Sequence, residues 1–481
     1  MRVRNRHCIR PLVVFLLCFW AMLAAGANAS VITWGGGTGN WNVAANWSGG
    51  ALPTTGDTAV IASGTPAVNT TLSPAPDLIR VDSGGTCNFT GASITNNMTL
   101  NGGAFNMSGD SNPNMSGTIT LTADSTIKNT RGNSNRTFTV SGQITEDAVP
   151  RKLTYDGAPH ITGIVGDNIA VSGANNYSGG TDIYGPTVSA NSSGAFGTGP
   201  VNVYSGVCRL NLSGSFTCGT ITTVAGGTGA VNVYGGKNPT GVQLSLQGGS
   251  LTHNSGSGAS TLNNTNSITI TNTAEIKSTG AYINNPLNIN TSIGGTGKAV
   301  LEDWGTPTWN GTAWNTPNVS HLTFGAAQNW SGGTEIRGLV DLNANGILPG
   351  GTVTLYGIDP AKGYSGTAEG ELRLLNTVAG QNGGLNPNTN LVLIDQIFTS
   401  GPNTLVCYAS LNLATNVTVN SFTLNGTVMP AGNYLTSDPA MANYLYSNSS
   451  TIVRTLTVLT PEPATLALLA LAGLTIVRRR R

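Results

Sequence analysis

Short runs in which every second residue is apolar recur along the chain. In GTITLTADSTI (Gly117–Ile127), Ile119 and Leu121 alternate with threonines. SITITNTAEI (Ser267–Ile276), PLNINTSI (Pro286–Ile293) and NVTVNSFTLNG (Asn416–Gly426) repeat the pattern. Period-two alternation of β-branched residues predicts strands with one buried face. Glycine, asparagine and serine break these runs at short intervals, and nothing between Ser30 and Thr460 has a helical period. The predicted fold class is all-β.

The strands belong to a repeating plan. GTGPVNVYSG (Gly197–Gly206) returns as GTGAVNVYGG (Gly227–Gly236). A longer unit starts at Asn175, as NNYSGGTDIYG, and again at Gln328, as QNWSGGTEIRG. Tyr177 aligns with Trp330, Ser-Gly-Gly-Thr is identical, and Asp182 aligns with Glu335. With one residue of slippage, Val201–Tyr204 falls on Val353–Tyr356. Such a unit cannot bury its apolar face alone; stacked on copies of itself it forms a solenoid.

The segments 175–206 and 328–357, with a partial copy at 227–236, resemble the autotransporter-associated β-strand repeat. That resemblance implies an elongated right-handed parallel β-helix displayed outside a bacterial cell. The Trp-rich opening, with Trp34, Trp41 and Trp47, is similar to the segment that precedes such repeats, and Ser421–Leu435 to the one that closes them. The expected division is a Trp-rich cap with first strands over 30–100, a solenoid over 101–415 and closing strands over 416–459. A passenger of this family continues into a membrane β-barrel, and no run of alternating barrel strands follows Ala464.

Both ends depart from the alternation. Arg2, Arg4, Arg6 and Arg10 precede an apolar run, Leu12–Ala25, and then Ala-Asn-Ala-Ser. This is a secretory leader, residues 1–29, with small residues Ala27 and Ala29 before a cut at Ser30. Its partner is signal peptidase. At the other end, Pro461-Glu462-Pro463 precedes an apolar run, Ala464–Val477, and Arg478, Arg479, Arg480 and Arg481. The run predicts a short hydrophobic helix of about 21 Å, against about 30 Å of bilayer hydrocarbon. Residues 460–481 resemble the PEP-CTERM sorting signal. The resemblance implies exosortase as a partner, removal of the tail, and a Gram-negative host with exopolysaccharide or biofilm. The expected route is transient inner-membrane anchoring, then the outer surface or extracellular matrix.

Export changes the charge balance. Four arginines leave with the leader and four sit at the end of the tail, so fourteen other basic residues face twenty-one acidic ones, Glu462 included. This net of −7 comes without a basic patch and excludes nucleic acid as a partner. Four cysteines remain after the leader, Cys87, Cys208, Cys218 and Cys407. They are read as local staples or buried thiols, without a fixed pairing.

Chemistry is sparse. The body has His160, His253 and His321, none in a metal-protease motif, and no cofactor is expected. Glu369 and Glu371 share one strand face and offer a carboxylate pair of the glycosidase kind, although two solvated positions are the simpler reading. DAVPRK (Asp147–Lys152) is a weak lyase candidate. Trp304, Trp309 and Trp314 recur every five residues. They offer glycan contacts, against which core packing is the competing role, as it is for Trp34, Trp41 and Trp47. The sequence therefore predicts an exported, non-catalytic surface or matrix protein, an adhesin or biofilm component. The alternative is a secreted polysaccharide-active β-helix enzyme, a lyase or glycoside hydrolase.

Overall fold

The structure, a computed structural model, describes residues 30–459 apart from 70–71, 73–74, 92, 110–111, 131–136, 158–167, 255–257, 280–284, 303–307, 310–313, 316–320, 358–370, 448 and 450. The leader and residues 460–481, with the expected helix 464–477, lie outside the described residues. Among the described residues the chain is all-β, and its helical elements are three-residue 3-10 turns. None of these is long and apolar enough to cross a membrane.

Four stacked sheets account for most strands. Sheet I has six strands between Val31 and Glu146, and sheet II thirteen between Thr38 and Trp330. Sheet III has fourteen between Asn114 and Val428, and sheet IV seven between Ser260 and Ser447. Within each sheet the strands follow chain order. They pair in parallel, apart from the hairpin Ser421–Leu424 with Thr427–Val428 that ends sheet III. The chain first alternates between sheets I and II, adds III at Asn114, leaves I after Glu146, adds IV at Ser260 and leaves II after Trp330. Each return to a sheet adds the next parallel strand to its edge, which is the order of a β-solenoid. Fourteen strands at ~4.8 Å per step make a stack about 60 Å long.

Backbone hydrogen bonds between irregular segments link the end of sheet I to the start of sheet IV. Asn176 donates to Ile144, Asn175 to Gly194, Thr217 to Ser193 and Gly214 to Asn238. Thr261 N then donates to Asn238 Oδ1 at 2.8 Å. Glycine and serine in these segments leave too little apolar surface for regular strands, but the main-chain groups still pair, as buried amides must.

The alternation read from the sequence sets the core. In sheet III, Phe138, Ile169, Val188, Cys208, Val231, Leu251, Ile276, Leu301, Ile336 and Leu355 stand in register and are fully buried. Each aliphatic side chain in such a column contributes roughly 1.5–3 kcal/mol of burial. Polar residues outside the column bond from strand to strand. Asn106 Nδ2 donates to Asn88 at 3.0 Å and Asn211 Nδ2 to Asn191 at 2.8 Å.

The two repeat copies make the same contacts on different sheets. Thr181–Tyr184 lies in sheet II, whereas Thr334–Ile336 lies in sheet III. The partial copy also changes sheet, with Val201–Val203 in II and Ala230–Val233 in III. The turn explains its glycines. A Cβ on Gly179 would lie 2.4 Å from Arg151 C, and one on Gly332 2.4 Å from Gly297 C. The next glycines, Gly180 and Gly333, have φ of 100° and 91°. The first position needs close approach to the neighbouring strand and the second a left-handed backbone.

Both ends carry non-repeating caps. Trp34, Trp41 and Trp47 are buried and pack edge to face, with centroids 5.1 Å apart for Trp34–Trp47 and 4.6 Å for Trp41–Trp47. Their role is packing. At the C-terminal end Val417–Val419, Thr455–Val458 and Gly432–Leu435 form a three-stranded sheet beside the Ser421–Val428 hairpin.

Candidate functional site

A buried grouping of titratable side chains lies on sheet IV. Four neighbouring strands build it: His321–Phe324, Leu339–Leu342, Glu371–Leu374 and Ser410–Leu413. Leu322, Val340, Leu372 and Leu411 occupy the core side. Thr323, Asp341, Arg373 and Asn412 therefore share the opposite face, one on each strand and in register. Glu371 stands across from Ser410.

Arg373 is the centre of the group. Its Nε lies 3.2 Å from Glu371 Oε1 and 3.9 Å from Asp341 Oδ1. His321 Nε2 is 3.6 Å from Asp341 Oδ2. Ser410 Oγ and Tyr446 OH are 2.9 Å apart beside them. Glu371 is 0% exposed and Asp341 8%. Burial disfavours the ionised carboxylate and pushes Asp341 up to about 6; Arg373 opposes the shift and Glu371 adds to it. Glu371 is raised for the same first reason, against Arg373 and Asn412.

Two carboxyl groups raised above their ordinary range, with a guanidinium and an imidazole, have the composition of an acid–base set. The face they share is largely buried, with Thr323 5%, Asp341 8% and Asn412 8% exposed. This burial fits a structural ion cluster, in which breaking one partner is costly. No group of three or more metal-ligating side chains occurs among the described residues.

The residues singled out in the sequence fall differently. Glu371 is buried against Arg373 rather than solvated, and Glu369 lies outside the described residues. The acid near Glu371 is Asp341, thirty residues away in sequence. The lyase candidate is occupied by ion pairs. Arg151 binds Asp147 through Nε and Nη2 at 2.9 and 2.8 Å, and Lys152 Nζ reaches Asp182 at 3.0 Å. His253 is a core residue, with Nδ1 2.8 Å from Ser278 Oγ and Nε2 3.1 Å from Gly258 O. His160 and Trp304 lie outside the described residues. The backbone of Thr308–Trp309 pairs antiparallel with Trp314–Asn315, with Trp309 and Trp314 in register. Cys87, Cys208 and Cys218 are free thiols, and Cys407 is buried with the first two. Burial raises Cys218 to about 11.

Sequence reasoning missed His321, Asp341 and Arg373 as a set. One signal was present: Asp341 interrupts LVDL, a strand buried along its whole length. An acid there needs a partner.

Ser30 begins the described chain, its amide 3.3 Å from Asp57 Oδ1. Ala27 and Ala29 precede it, and Pro461, Glu462, Pro463 and Arg478–Arg481 follow the last described residue, Leu459. The family of the PEP-CTERM protein-sorting motif matches residues 459–481. No curated protein and no solved structure matches the chain. The motif marks an exported protein processed by an exosortase at a membrane.

Proposed function

We propose that this chain is a non-catalytic structural protein of the cell surface or extracellular matrix. Its body is a right-handed parallel β-helix built from autotransporter-associated repeats, and it acts as an adhesin or biofilm component. The carrying observation is the sorting motif, which starts at Leu459, where the closing sheet of a stacked, capped body ends. A long stack with few charges and amide-rich outer columns suits a passive spacer or contact surface. Exopolysaccharide is the partner we favour, and the outer surface of a Gram-negative bacterium the location.

Fractionation of expressing cells tests this. Wild-type body should reach the surface fraction without its tail, and should release no reducing ends or unsaturated products from polysaccharides. Retention of the body in the inner membrane in cells with an active exosortase would refute delivery to the surface.

The Asp341–Glu371 pair favours a second reading, a polysaccharide hydrolase or lyase. Product formation lost on Asp341→Asn or Glu371→Gln, with the fold intact, would replace the first reading with the second.

A further inference from the structure

The two caps perform one task, ending a stack of sheets, yet they differ in how many large apolar side chains they leave outside, Val31 and Val43 being the exposed ones of the N-terminal cap. The N-terminal cap buries its tryptophans to 1–3% exposure. The C-terminal cap leaves Val428 71%, Leu435 41%, Ile452 46%, Val453 53% and Leu459 41% exposed. These are five of the eleven exposed large apolar side chains among the described residues, gathered into the last 32 positions before the tail. Scattered surface apolar residues need no explanation, but a concentration at one end does.

The five belong to one structural unit. Leu435 pairs with Thr455, and Thr436 N donates to Arg454 O at 2.9 Å, so Val453 and Ile452 lie next along the strand that pairs with Leu435, two and three residues from its partner. Val428 ends the adjoining hairpin, whose Phe422 packs edge to face on Tyr434 at 5.7 Å. Leu459 N donates to Val419 O at 3.0 Å, so the chain is fastened to the cap up to the residue where the sorting motif begins.

Covalent geometry then limits where this cap can be. Five residue steps separate Leu459 from Ala464, the first residue of the apolar run. An extended chain spans at most ~3.6 Å per step, so cap and run can be at most about 18 Å apart. Polar headgroups add only about 5–8 Å per leaflet to the hydrocarbon. A body held by the run 464–477 therefore has its C-terminal cap at the bilayer surface, with no room for a second domain between them.

We propose that the C-terminal cap is a phospholipid-contacting surface, and that Val428, Leu435, Ile452 and Val453 enter the headgroup region while the tail is uncut. This rests on the sorting reading of the tail. The contact would seat the stack end-on and hold Pro461-Glu462-Pro463 in the interface. Once the tail is removed, a few shallow apolar side chains are too weak an anchor to retain the body, since stable attachment takes more than one marginal signal.

The test uses the full chain reconstituted into protein-free phosphatidylethanolamine–phosphatidylglycerol vesicles. An environment-sensitive fluorophore is placed singly at Ile452→Cys, Val428→Cys, Val43→Cys or Leu469→Cys, and vesicles carry a headgroup-level nitroxide quencher. All four positions leave the described core intact. The expected result is strong quenching at 469, quenching of about twofold or more at 452 and 428, and none at 43. Quenching at 469 without 452 and 428 would overturn the proposal and leave the sorting reading standing. No quenching at 469 would sink the tail reading and this proposal with it. Quenching at 452 that appears only when the vesicles contain exosortase would identify a protein as the occupant, and would also overturn it.

Discussion

Tyr177 and Trp330 occupy equivalent corners that feed different sheets. Tyr177 OH is 2.7 Å from Thr181 Oγ1, and Trp330 Nε1 is 3.0 Å from Thr334 Oγ1. Both rings are buried. On the next residue Asp182 meets Lys152 and Glu335 meets Lys298, each lysine lying just before an earlier strand. Two positions further on, Tyr184 stacks on Tyr204 with centroids 4.4 Å apart, and the Arg337 guanidinium lies 5.0 Å from the Tyr356 centroid. The unit keeps its contacts when it moves from sheet II to sheet III, so the corner, rather than the sheet, is what the sequence repeats.

That corner should fail when its first glycine is filled. Gly332→Ala places a methyl 2.4 Å from the Gly297 backbone, where no flexible side chain can yield. Overpacking of this kind costs about 1–3 kcal/mol. Gly350→Ala meets only the Asn386 side chain at 3.3 Å and should be nearly neutral. Equilibrium denaturation of both variants checks the difference, and equal stabilities would contradict the close-approach argument.

Arg373 holds two buried acids. Arg373→Met leaves Asp341 and Glu371 without their shared cation and should lower stability by about 3–5 kcal/mol at neutral pH. The loss should shrink at pH 5, because protonation relieves the carboxylates. Urea midpoints at the two pH values measure this. A loss independent of pH would mean that Arg373 matters through packing of its stem.

Asp341 also sets a pH dependence of definite sign. Its carboxyl sits at about 6 in the folded chain, above its ordinary 3.8. The folded state therefore holds the proton more tightly. That stabilisation is complete below about pH 4 and is lost as pH rises through 6, amounting to at most ~3 kcal/mol. His253 acts in the opposite sense: burial lowers it to about 4, so its contribution is present above pH 6.5 and is lost as pH falls through 4. The two overlap, and the wild-type curve alone would hide both. The difference between wild type and Asp341→Asn across pH 4–7 isolates the first. It should favour wild type increasingly as the pH falls.

Much of this was legible in the sequence, for physical reasons. Alternation marks which face of a strand is buried, so the columns through Val188, Val231 and Ile336 follow from it. The Ser-Gly-Gly-Thr identity announced a turn that only glycine fits. The change of sheet between copies was not legible, because every face of a stack presents the same apolar column to its neighbours. The ion cluster was hidden for a different reason. Glu371 read as outward and solvated on its own strand, and only the register with Leu339–Leu342 brings Asp341 beside Arg373. Local pattern carries no information about what covers an outward face.

The tail should behave as a removable sorting signal. Four guanidiniums cannot cross hydrocarbon cheaply, so Arg478–Arg481 stay on the cytoplasmic side. The run Ala464–Val477 is short, which sets Pro461-Glu462-Pro463 near the opposite surface. Two prolines there disfavour helix and should favour an extended form that a protease can grip. Mass spectrometry of the surface-extracted body should find peptides up to the cap strand Thr455–Val458 and none from Ala464 onward. Replacing Arg478–Arg481 with glutamine should leave uncut precursor or mislocalised protein, because nothing then fixes the depth of the short run. Mature protein that still carries its arginines in wild-type cells would make the tail a permanent anchor, and the sorting reading would fall.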